Sequence, residues 1–413
     1  MKVHLRTFGC RANQYDSEVI RRMVGDGGHE IVADESQAEV AIFNSCAVTA
    51  EAEADLRQAV RRVARAAPRA RNIITGCAAG QPEATVRLAA LPGVTDVIAG
   101  ADFPAIARSL GLDVTATTLE QSGTRALLRI QDGCDEHCTF CATRLARGAS
   151  RSRPAEAIIA EATALAARHA EIVVTGIHIG AWGADIESSL GALVELLVTR
   201  VERVRFRLSS LETTEVDDRL LELWRSAPDR LAPYLHAPLQ SGSDAVLRRM
   251  GRHWYTAESY RRAAERIVER SHVFGLGADV IAGFPGESED DHVATMRLIE
   301  SLPFTSLHVF PYSARPGTAA VRLGKPVPPP IVSRRTAELR QLGGEKEWFY
   351  RARRIGGPAD VIVVGMAGRR TGLTGDYLSV AVDPELPRGS RFTGRLELRN
   401  GRLAAVASPG GAT

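Results

Sequence analysis

Three cysteines in a short stretch of the chain, Cys134, Cys138 and Cys141, have the spacing C-x3-C-x2-C and are called the barrel trio below. Thiolates are soft ligands that suit iron-sulfur clusters or zinc. A structural zinc ion takes four protein ligands in a closed tetrahedron, and the local fourth candidate, His137, adjoins Cys138 and would have difficulty reaching the same metal. Three thiolates leave one iron of a cubane cluster without a protein ligand. The motif therefore favours an iron-sulfur site with an open position, where a small molecule can react.

The other three cysteines each end a short apolar run in the first eighty residues, at Cys10, Cys46 and Cys77. They are called the N-terminal trio below. Helical patterns such as 50–67 fall between the runs, which predicts a small parallel α/β domain. Because ligands gather beyond the carboxyl ends of parallel strands, we expect these three cysteines to share one site.

Further apolar runs that alternate with helical patterns must position the barrel trio. They lie at 126–131, 172–176, 204–209, 234–239, 277–282 and 306–310. Six β-then-α units predict a partial TIM-like barrel, open on one side because the segment is short for eight units. A proline cluster at 325–330 is expected to be neither helix nor central strand, and a helix is predicted at 333–351. Short β-type runs after residue 356 predict a small all-β barrel.

The predicted fold class is therefore α/β, with a parallel N-terminal domain at 1–118, a partial (βα)6 barrel at 119–350 and a small β domain at 351–407. A chain of 413 residues exceeds one ordinary core, and 45% hydrophobic residues are typical of a globular protein. The start of the chain lacks a secretory signal pattern, and the sequence has no apolar run long enough to span a membrane, so we expect a cytoplasmic protein. In that reducing compartment, clustered cysteines indicate metal or catalytic sites in preference to disulfides.

These motifs resemble the radical S-adenosylmethionine methylthiotransferase family over essentially the whole chain. The matching stretches in the first domain are TFGC at 7–10, NQYDSE at 13–18, NSCAVT at 44–49 and GC at 76–77. Those in the barrel are RLSS at 207–210, LQSGS at 239–243, DVIAGFPGE at 279–287 and FPYSARPGT at 310–318. The C-terminal unit resembles a TRAM domain, a small β-barrel of the kind that often binds RNA. The stretch 9–15, GCRANQY, is most similar to the branch whose substrate is threonylcarbamoyladenosine beside the anticodon.

The resemblance implies a transferase with two [4Fe-4S] clusters and S-adenosylmethionine as cofactors. The barrel trio would hold the catalytic cluster, whose open iron binds S-adenosylmethionine, and the N-terminal trio a second cluster involved in sulfur delivery. The implied metal ligands are Cys10, Cys46, Cys77, Cys134, Cys138 and Cys141. The implied reaction is methylthiolation at C2 of N6-threonylcarbamoyladenosine in transfer RNA. From their places at the ends of barrel strands, Gly176, Ser209 and Gln240 are expected to contact S-adenosylmethionine.

The expected partners are the anticodon stem-loop of a transfer RNA and an electron donor such as a flavodoxin or ferredoxin, with no membrane. Four arginines follow the barrel trio, and they form either a solvated face or a grip on RNA phosphates: Arg144, Arg147, Arg151 and Arg153. The scattered histidines are expected to be hydrogen-bonded core or loop residues more often than ligands: His4, His178, His236 and His308.

Two alternative functions remain open from the sequence. One keeps the chemistry but acts on isopentenyladenosine in transfer RNA or on an aspartate of a ribosomal protein. The other is a non-catalytic iron-sulfur sensor that binds RNA, although a sensor needs neither an open iron nor glycine-rich strand ends.

Overall fold

The computed structural model describes residues 1–47, 50–112, 120–269, 273–366 and 369–412. The strands of its first unit are β1 Lys2–Thr7, β2 Glu30–Ile31, β3 Val40–Ser45, β4 Arg71–Gly76 and β5 Val94–Val97. The helices are α1 Arg11–Asp26, α2 Ala50–Ala66, α3 Pro82–Ala89 and α4 Phe103–Leu110. The strands form one parallel sheet in the order β2-β1-β3-β4-β5.

Strand β3 shows why this unit is a parallel sheet covered on both faces. Ala41 and Phe43 belong to the core formed with α2 and α3, whereas Val40 and Ile42 belong to the core formed with α1 and α4. Successive side chains of a strand point to opposite faces, so a strand buried on both sides needs an uninterrupted apolar run. The three predicted runs are confirmed as strands, and each strand ends one to three residues before its cysteine.

The second unit is the predicted partial barrel. Its strands are β6 Ala126–Arg129, β9 Glu171–Thr175, β10 Arg205–Leu208, β11 Tyr234–His236, β12 Gly275–Ala282 and β13 Ser306–Pro311. Its outer helices are α6 Ala155–Ala166, α7 Leu190–Arg200, α8 Asp218–Ser226, α9 Asp244–Arg249, α10 Ala257–Val268 and α11 Glu289–Ser301. All neighbouring strands are parallel, and bridges at Phe206 and Ser210 join β10 to the segment that carries β11. Among the described residues, no pairing joins β13 to β6, so the barrel is open there.

Helix α1 of the first unit packs against the barrel from inside. Tyr15 and Val19 contact Leu127 of β6 and Val173 of β9. The neighbours of Leu127 and Val173 along their strands belong to the large core under the outer helices. Because side chains alternate along a strand, Leu127 and Val173 point into the lumen, and the N-terminal unit faces the inside of the barrel.

The long connection between β6 and α6 carries the barrel trio. It contains a short antiparallel pair, β7 Gln131–Asp132 with β8 Arg151–Ser152, and the one-turn helix α5 Thr143–Arg147. The two short strands close the loop at its base.

Helix α12, Pro329–Arg354, is longer than predicted and begins inside the proline cluster. The expectation that this cluster holds no helix was wrong, because proline is well tolerated in the first turn, where its missing N–H would be unpaired in any case. Although α12 has 26 residues, no helix in the described ranges combines the length and the apolar character needed to cross a membrane.

The third unit is a curled antiparallel sheet in the order β16-β15-β14-β17-β18. Its strands are β14 Pro358–Met366, β15 Arg369–Thr374, β16 Ser379–Val380, β17 Arg391–Arg399 and β18 Arg402–Ala412. Backbone hydrogen bonds between Ala381, just after β16, and Leu403 and Ala405 of β18 bring the two edges of the sheet together. The α/β class with a TRAM-like third unit is thus confirmed. The proposed domain boundary at 118 lies outside the described residues, and the boundary at 350 falls within α12.

A buried ion group anchors the third unit to the barrel. Glu171 is fully buried between Arg205 and Arg207, with nitrogen–oxygen distances of 2.5 and 2.9 Å. Burial raises the pKa of the Glu171 carboxyl, but Arg207 and Arg205 outweigh burial and hold it well below its usual range. Arg207 also donates to the carbonyl oxygen of Gly375 at 2.8 Å, which ties the loop after β15 to the barrel.

Candidate functional site

The loop that carries the barrel trio is held by its glycine and by the barrel wall. Gly133 has φ +76°, and a side chain there would overlap the carbonyl oxygen of Ala149. A residue other than glycine is therefore excluded immediately before Cys134. Farther along the loop, the amide of Thr139 donates to the carbonyl oxygen of Met250 at 2.9 Å.

The three thiols of the barrel trio line one pocket of about 190 Å³. Phe140, Leu211 and Trp254 supply much of its apolar wall, and Glu212 and Arg252 lie on the polar side. Arg252 donates to the Sγ atom of Cys138 at 3.5 Å and also pairs with Glu212. Burial raises the pKa of the Cys138 thiol to about 12, against the influence of Arg252, so metal binding must displace its proton.

His178 connects the barrel trio to a carboxylate. Its Nδ1 atom lies 3.8 Å from Sγ of Cys134, and its Nε2 atom lies 2.5 Å from Glu215. Burial lowers the pKa of His178, but the hydrogen bonds with Cys134 and Glu215 outweigh burial and raise it to about 10. Sequence reasoning classed His178 as a core or loop residue and did not place it at the site. Its position just beyond the end of β9 is the signal that could have found it.

The three residues expected to contact S-adenosylmethionine differ in their placement. Gln240 lines the pocket of the barrel trio and has φ +63°, a conformation that costs a non-glycine residue about 1 kcal/mol or more and is concentrated at functional sites. Gly176 and Ser209 do not line this pocket, but the residues after them, Ile177 and Ser210, do. These assignments stay predictions.

The N-terminal trio converges around Asn13. The Oδ1 atom of Asn13 accepts from Sγ of Cys77 at 3.6 Å and lies 4.0 Å from Sγ of Cys10. Gly9, with φ +94°, lies so close to Cys46 that a side chain at Gly9 would overlap the thiol. Burial raises the pKa of the Cys77 thiol to about 12, and the nearness of Cys10 and Cys46 adds to that rise. The structure thus brings together cysteines that come from three different strand ends.

Arg147 joins the loop of the barrel trio to the N-terminal trio. Its side chain is only 1% exposed, and its Nε atom donates to Sγ of Cys77 at 3.3 Å. Its Nη2 atom donates to Asn13 and to Asp16, both at 2.7 Å. Cys77 also packs against Ala142, which follows the last cysteine of the barrel trio. The two trios are therefore adjacent, and a buried cation from the loop of the barrel trio bonds directly to the N-terminal trio.

The other arginines of that run have separate roles. Arg153 pairs with Glu161 at 2.7 Å, whereas Arg144 and Arg151 are exposed. The predicted choice between a solvated face and a phosphate grip therefore applies only to Arg144 and Arg151, since Arg147 is buried.

Both trios fit a cubane cluster better than structural zinc. Each supplies three thiols, and the six cysteines of the chain are divided equally between the trios. The guanidinium of Arg144 donates a hydrogen bond to Nδ1 of His137 at 2.9 Å. The residue considered from the sequence as a fourth zinc ligand is therefore engaged elsewhere. A structural zinc site is a closed tetrahedron, whereas the barrel trio opens onto a pocket with room for a small molecule.

Comparison with family models gives two matches. Residues 2–100 match the family described as "Uncharacterized protein family UPF0004", and residues 128–299 match the Radical SAM superfamily. Among solved structures, the chain resembles the cobalamin- and [4Fe-4S]-containing radical S-adenosylmethionine methyltransferase TsrM from Kitasatospora setae. The TM-score is 0.57 at 16% identity, over 77% of this chain and 76% of that chain, which shows a shared fold.

Curated relatives cover most of the chain. The Thermotoga maritima protein named threonylcarbamoyladenosine tRNA methylthiotransferase MtaB is 33% identical over 86% of this chain and 84% of its own length. The Bacillus subtilis protein of the same name is 35% identical over 83% and 80%. A Magnetococcus marinus protein named tRNA-2-methylthio-N(6)-dimethylallyladenosine synthase is 32% identical over 90% of each chain. The identities lie close together, so they do not decide between the two nucleosides.

Proposed function

The chain belongs to the radical S-adenosylmethionine methylthiotransferases, transferases that modify transfer RNA, and on that premise we propose that its substrate is N6-threonylcarbamoyladenosine beside the anticodon. The product would be the 2-methylthio derivative. The observation that carries the proposal is the adjacency of two three-thiol sites, one of which opens onto a pocket of about 190 Å³. The stretch 9–15 favours threonylcarbamoyladenosine over isopentenyladenosine, and the Thermotoga maritima and Bacillus subtilis relatives are named for that substrate.

The barrel trio would hold one [4Fe-4S] cluster and the N-terminal trio a second. When bound, clusters of this kind supply the electron that cleaves S-adenosylmethionine and an iron at which sulfur is carried. The residues of the chain then have to bind and orient S-adenosylmethionine and to exclude water. Phe140, Leu211 and Trp254 provide an apolar wall, which strengthens every electrostatic interaction inside the pocket.

The polar side of the pocket complements a zwitterionic ligand. The methionyl part of S-adenosylmethionine carries an ammonium and a carboxylate, and the pocket presents Glu212 and Arg252. Trp254 and Arg252 both donate to Glu212, so this carboxylate is fixed before any ligand binds. Gln240, Gly176 and Ser209 stay proposed contacts to the same cofactor.

The expected partners follow from this chemistry. The exposed arginines Arg144 and Arg151 border the loop of the barrel trio, where cationic side chains can hold the phosphates of an anticodon stem-loop. A reducing protein such as a flavodoxin or ferredoxin would supply the electron.

Nucleoside analysis tests the substrate. Transfer RNA from a deletion strain should lose 2-methylthio-N6-threonylcarbamoyladenosine and accumulate the unmethylthiolated nucleoside. In vitro, reconstituted enzyme should methylthiolate a stem-loop with threonylcarbamoyladenosine in preference to one with isopentenyladenosine or to a ribosomal-protein peptide. An unchanged nucleoside profile would remove the substrate assignment. If reduced protein released no 5′-deoxyadenosine from S-adenosylmethionine, the non-catalytic RNA-binding alternative would be favoured.

Iron analysis tests the number of clusters. Anaerobically reconstituted protein should contain about eight iron and eight sulfide per chain, and Cys10→Ala and Cys134→Ala should each lower both values to about four. A wild-type value near four, or zinc in place of iron, would contradict the assignment of two cubanes.

A further inference from the structure

A second polar group lies inside the barrel, on three neighbouring strands. His236 of β11, Asp279 of β12 and His308 of β13 meet at one carboxylate oxygen. The Oδ1 atom of Asp279 lies 2.9 Å from Nε2 of His236 and 3.2 Å from Nδ1 of His308. Asp279 and His308 are direct partners in the strand register, so the alignment of the strands fixes this contact. Asp279 therefore orients both imidazoles. The His308 side chain is 56% exposed, and among the described residues its Nε2 atom has no hydrogen-bond partner.

Arg11 is connected to this group through two stacked tyrosines. It donates to the hydroxyl of Tyr377 at 2.9 Å. The Tyr377 ring stacks on Tyr234 with 4.4 Å between centroids, and the Tyr234 hydroxyl lies 3.4 Å from Nδ1 of His236. Within the described ranges, no carboxylate forms an ion pair with Arg11. A permanently charged guanidinium therefore borders the lumen with hydrogen-bonding capacity that the described part of the chain does not use.

The position of the group places it beside the reacting region. Arg11 directly follows Cys10 of the N-terminal trio. Asp279 lines a pocket of about 190 Å³ that shares Gln240 and Phe140 with the pocket of the barrel trio. A nucleoside that reaches between the two trios would therefore have Arg11 and His308 alongside it.

The chemistry of the substrate gives this arrangement a use. A threonylcarbamoyl group on N6 of adenine ends in a carboxylate, whereas an isopentenyl group is apolar. We propose that Arg11 and His308 bind the threonyl carboxylate and so select threonylcarbamoyladenosine over nucleosides with a neutral N6 substituent. This inference rests on the proposed function and adds to it the residues that recognise the side group.

The local charges are consistent with an anion site. The hydrogen bond to Asp279 raises the pKa of His308, and burial and the nearby Arg11 oppose that rise. The stacked tyrosines link Arg11 to His236, whose ring centroid lies 5.0 Å from that of His308, so both side chains border the same part of the lumen. Asp279 would repel a bound carboxylate, but both of its imidazole partners lie against its Oδ1 atom, and the guanidinium of Arg11 supplies a permanent positive charge.

Binding and turnover of matched RNAs test the proposal. Reconstituted enzyme is given stem-loops with threonylcarbamoyladenosine, with its methyl ester and with isopentenyladenosine, and affinity is measured by fluorescence anisotropy beside methylthiolation. For wild type we expect the ester to bind about ten- to a hundredfold more weakly than the free carboxylate, the effect of losing a charge-assisted bond. Arg11→Met should weaken binding of the carboxylate RNA by a similar factor and abolish discrimination against the ester. Arg11→Lys should keep part of the discrimination against the ester, and His308→Gln should weaken binding of the carboxylate RNA less than Arg11→Met does.

Arg22→Met is the matched control, since Arg22 lies on the same helix and pairs with Asp26 at 2.9 Å at its surface. It should leave the discrimination unchanged. If wild type modifies the acid and ester RNAs equally well, the carboxylate site is refuted while the proposed function stands. If it modifies neither, the proposed function fails. A stoichiometric metal other than iron that disappears in His308→Gln would also refute the proposal, because the imidazole would then be a metal ligand.

Discussion

Replacement of Arg147 by methionine tests the link between the two trios most directly. The substitution keeps much of the side-chain volume and removes the charge. It leaves the buried Asp16 with Arg129 as its remaining cationic partner and removes a donor from both Asn13 and Cys77. Breaking a buried ion pair by removing one partner costs about 3–5 kcal/mol, so the midpoint of chemical unfolding should fall markedly. The double variant Arg147→Met with Asp16→Asn should recover part of this loss, because it removes the uncompensated carboxylate.

The same substitution should lower the reduction potential of a cluster held by the N-terminal trio. A positive charge stabilises the more negative, reduced state. With an effective dielectric constant of about 20 and roughly 6 Å between guanidinium and cluster charge, the interaction is about 3 kcal/mol, or on the order of 100 mV for one electron. The Nε–Sγ distance of 3.3 Å between Arg147 and Cys77 makes this cluster the more strongly affected one.

Redox titration followed by electron paramagnetic resonance measures that potential. A Cys134→Ala background leaves the N-terminal cluster as the source of the signal. Arg147→Lys keeps the charge and should shift the potential by less than half as much as Arg147→Met. Arg151→Met removes an exposed charge from the same loop and should shift it little, since solvent screens the charge. Equal shifts in the lysine and methionine variants, or no shift in either, would refute the electrostatic role of Arg147.

Three further predictions concern the supporting structure. Gly133→Ala should lose the iron of the barrel cluster, about four iron atoms per chain. Gly111→Ala is the control, because Gly111 has φ +70° but open space around it. This variant should keep its iron and lose about 1 kcal/mol of stability or less. Glu171→Gln should lower the free energy of unfolding by about 3–5 kcal/mol, measured by urea denaturation, because it removes the carboxylate that Arg205 and Arg207 share. Asp360 still pairs with Arg205, whereas Arg207 has no other counterion among the described residues. The pKa of Glu171 is depressed in the folded protein. Its contribution to the free energy of unfolding is therefore present above the unfolded pKa of about 4.3 and is lost as the pH falls below that value. Wild type should consequently lose more stability between about pH 5 and pH 3 than Glu171→Gln does.

The sequence predicts the positions of the cysteines well because each depends on a local pattern. A C-x3-C-x2-C spacing lies within one loop, and Cys10, Cys46 and Cys77 each follow an apolar run that can only be a buried strand. The carboxyl ends of parallel strands share one edge of a sheet, so the convergence of the N-terminal trio follows from fold class alone.

The surroundings of the cysteines could not be predicted, because they depend on pairs that are distant in sequence. Arg147 bonds to Asn13 and Asp16, which are 134 and 131 residues away. In the sequence, Arg147 is one of four similar arginines, and only the packed structure separates it from the exposed Arg144. His178 likewise joins Glu215 across 37 residues. A buried charge is determined by its tertiary partners, and local spacing does not identify them.

The C-terminal unit shows why substrate choice belongs to the assembly of all three units. The side chain of Tyr377 joins all three units. Its ring stacks on Tyr234 of the middle unit, and its hydroxyl accepts a hydrogen bond from Arg11 of the first. Tyr377 has φ +72°, an unfavourable conformation for a bulky side chain that these contacts must hold in place. The proposed carboxylate site therefore depends on residues from all three units, because Tyr377 of the third unit connects Arg11 of the first to the barrel residues His236, Asp279 and His308.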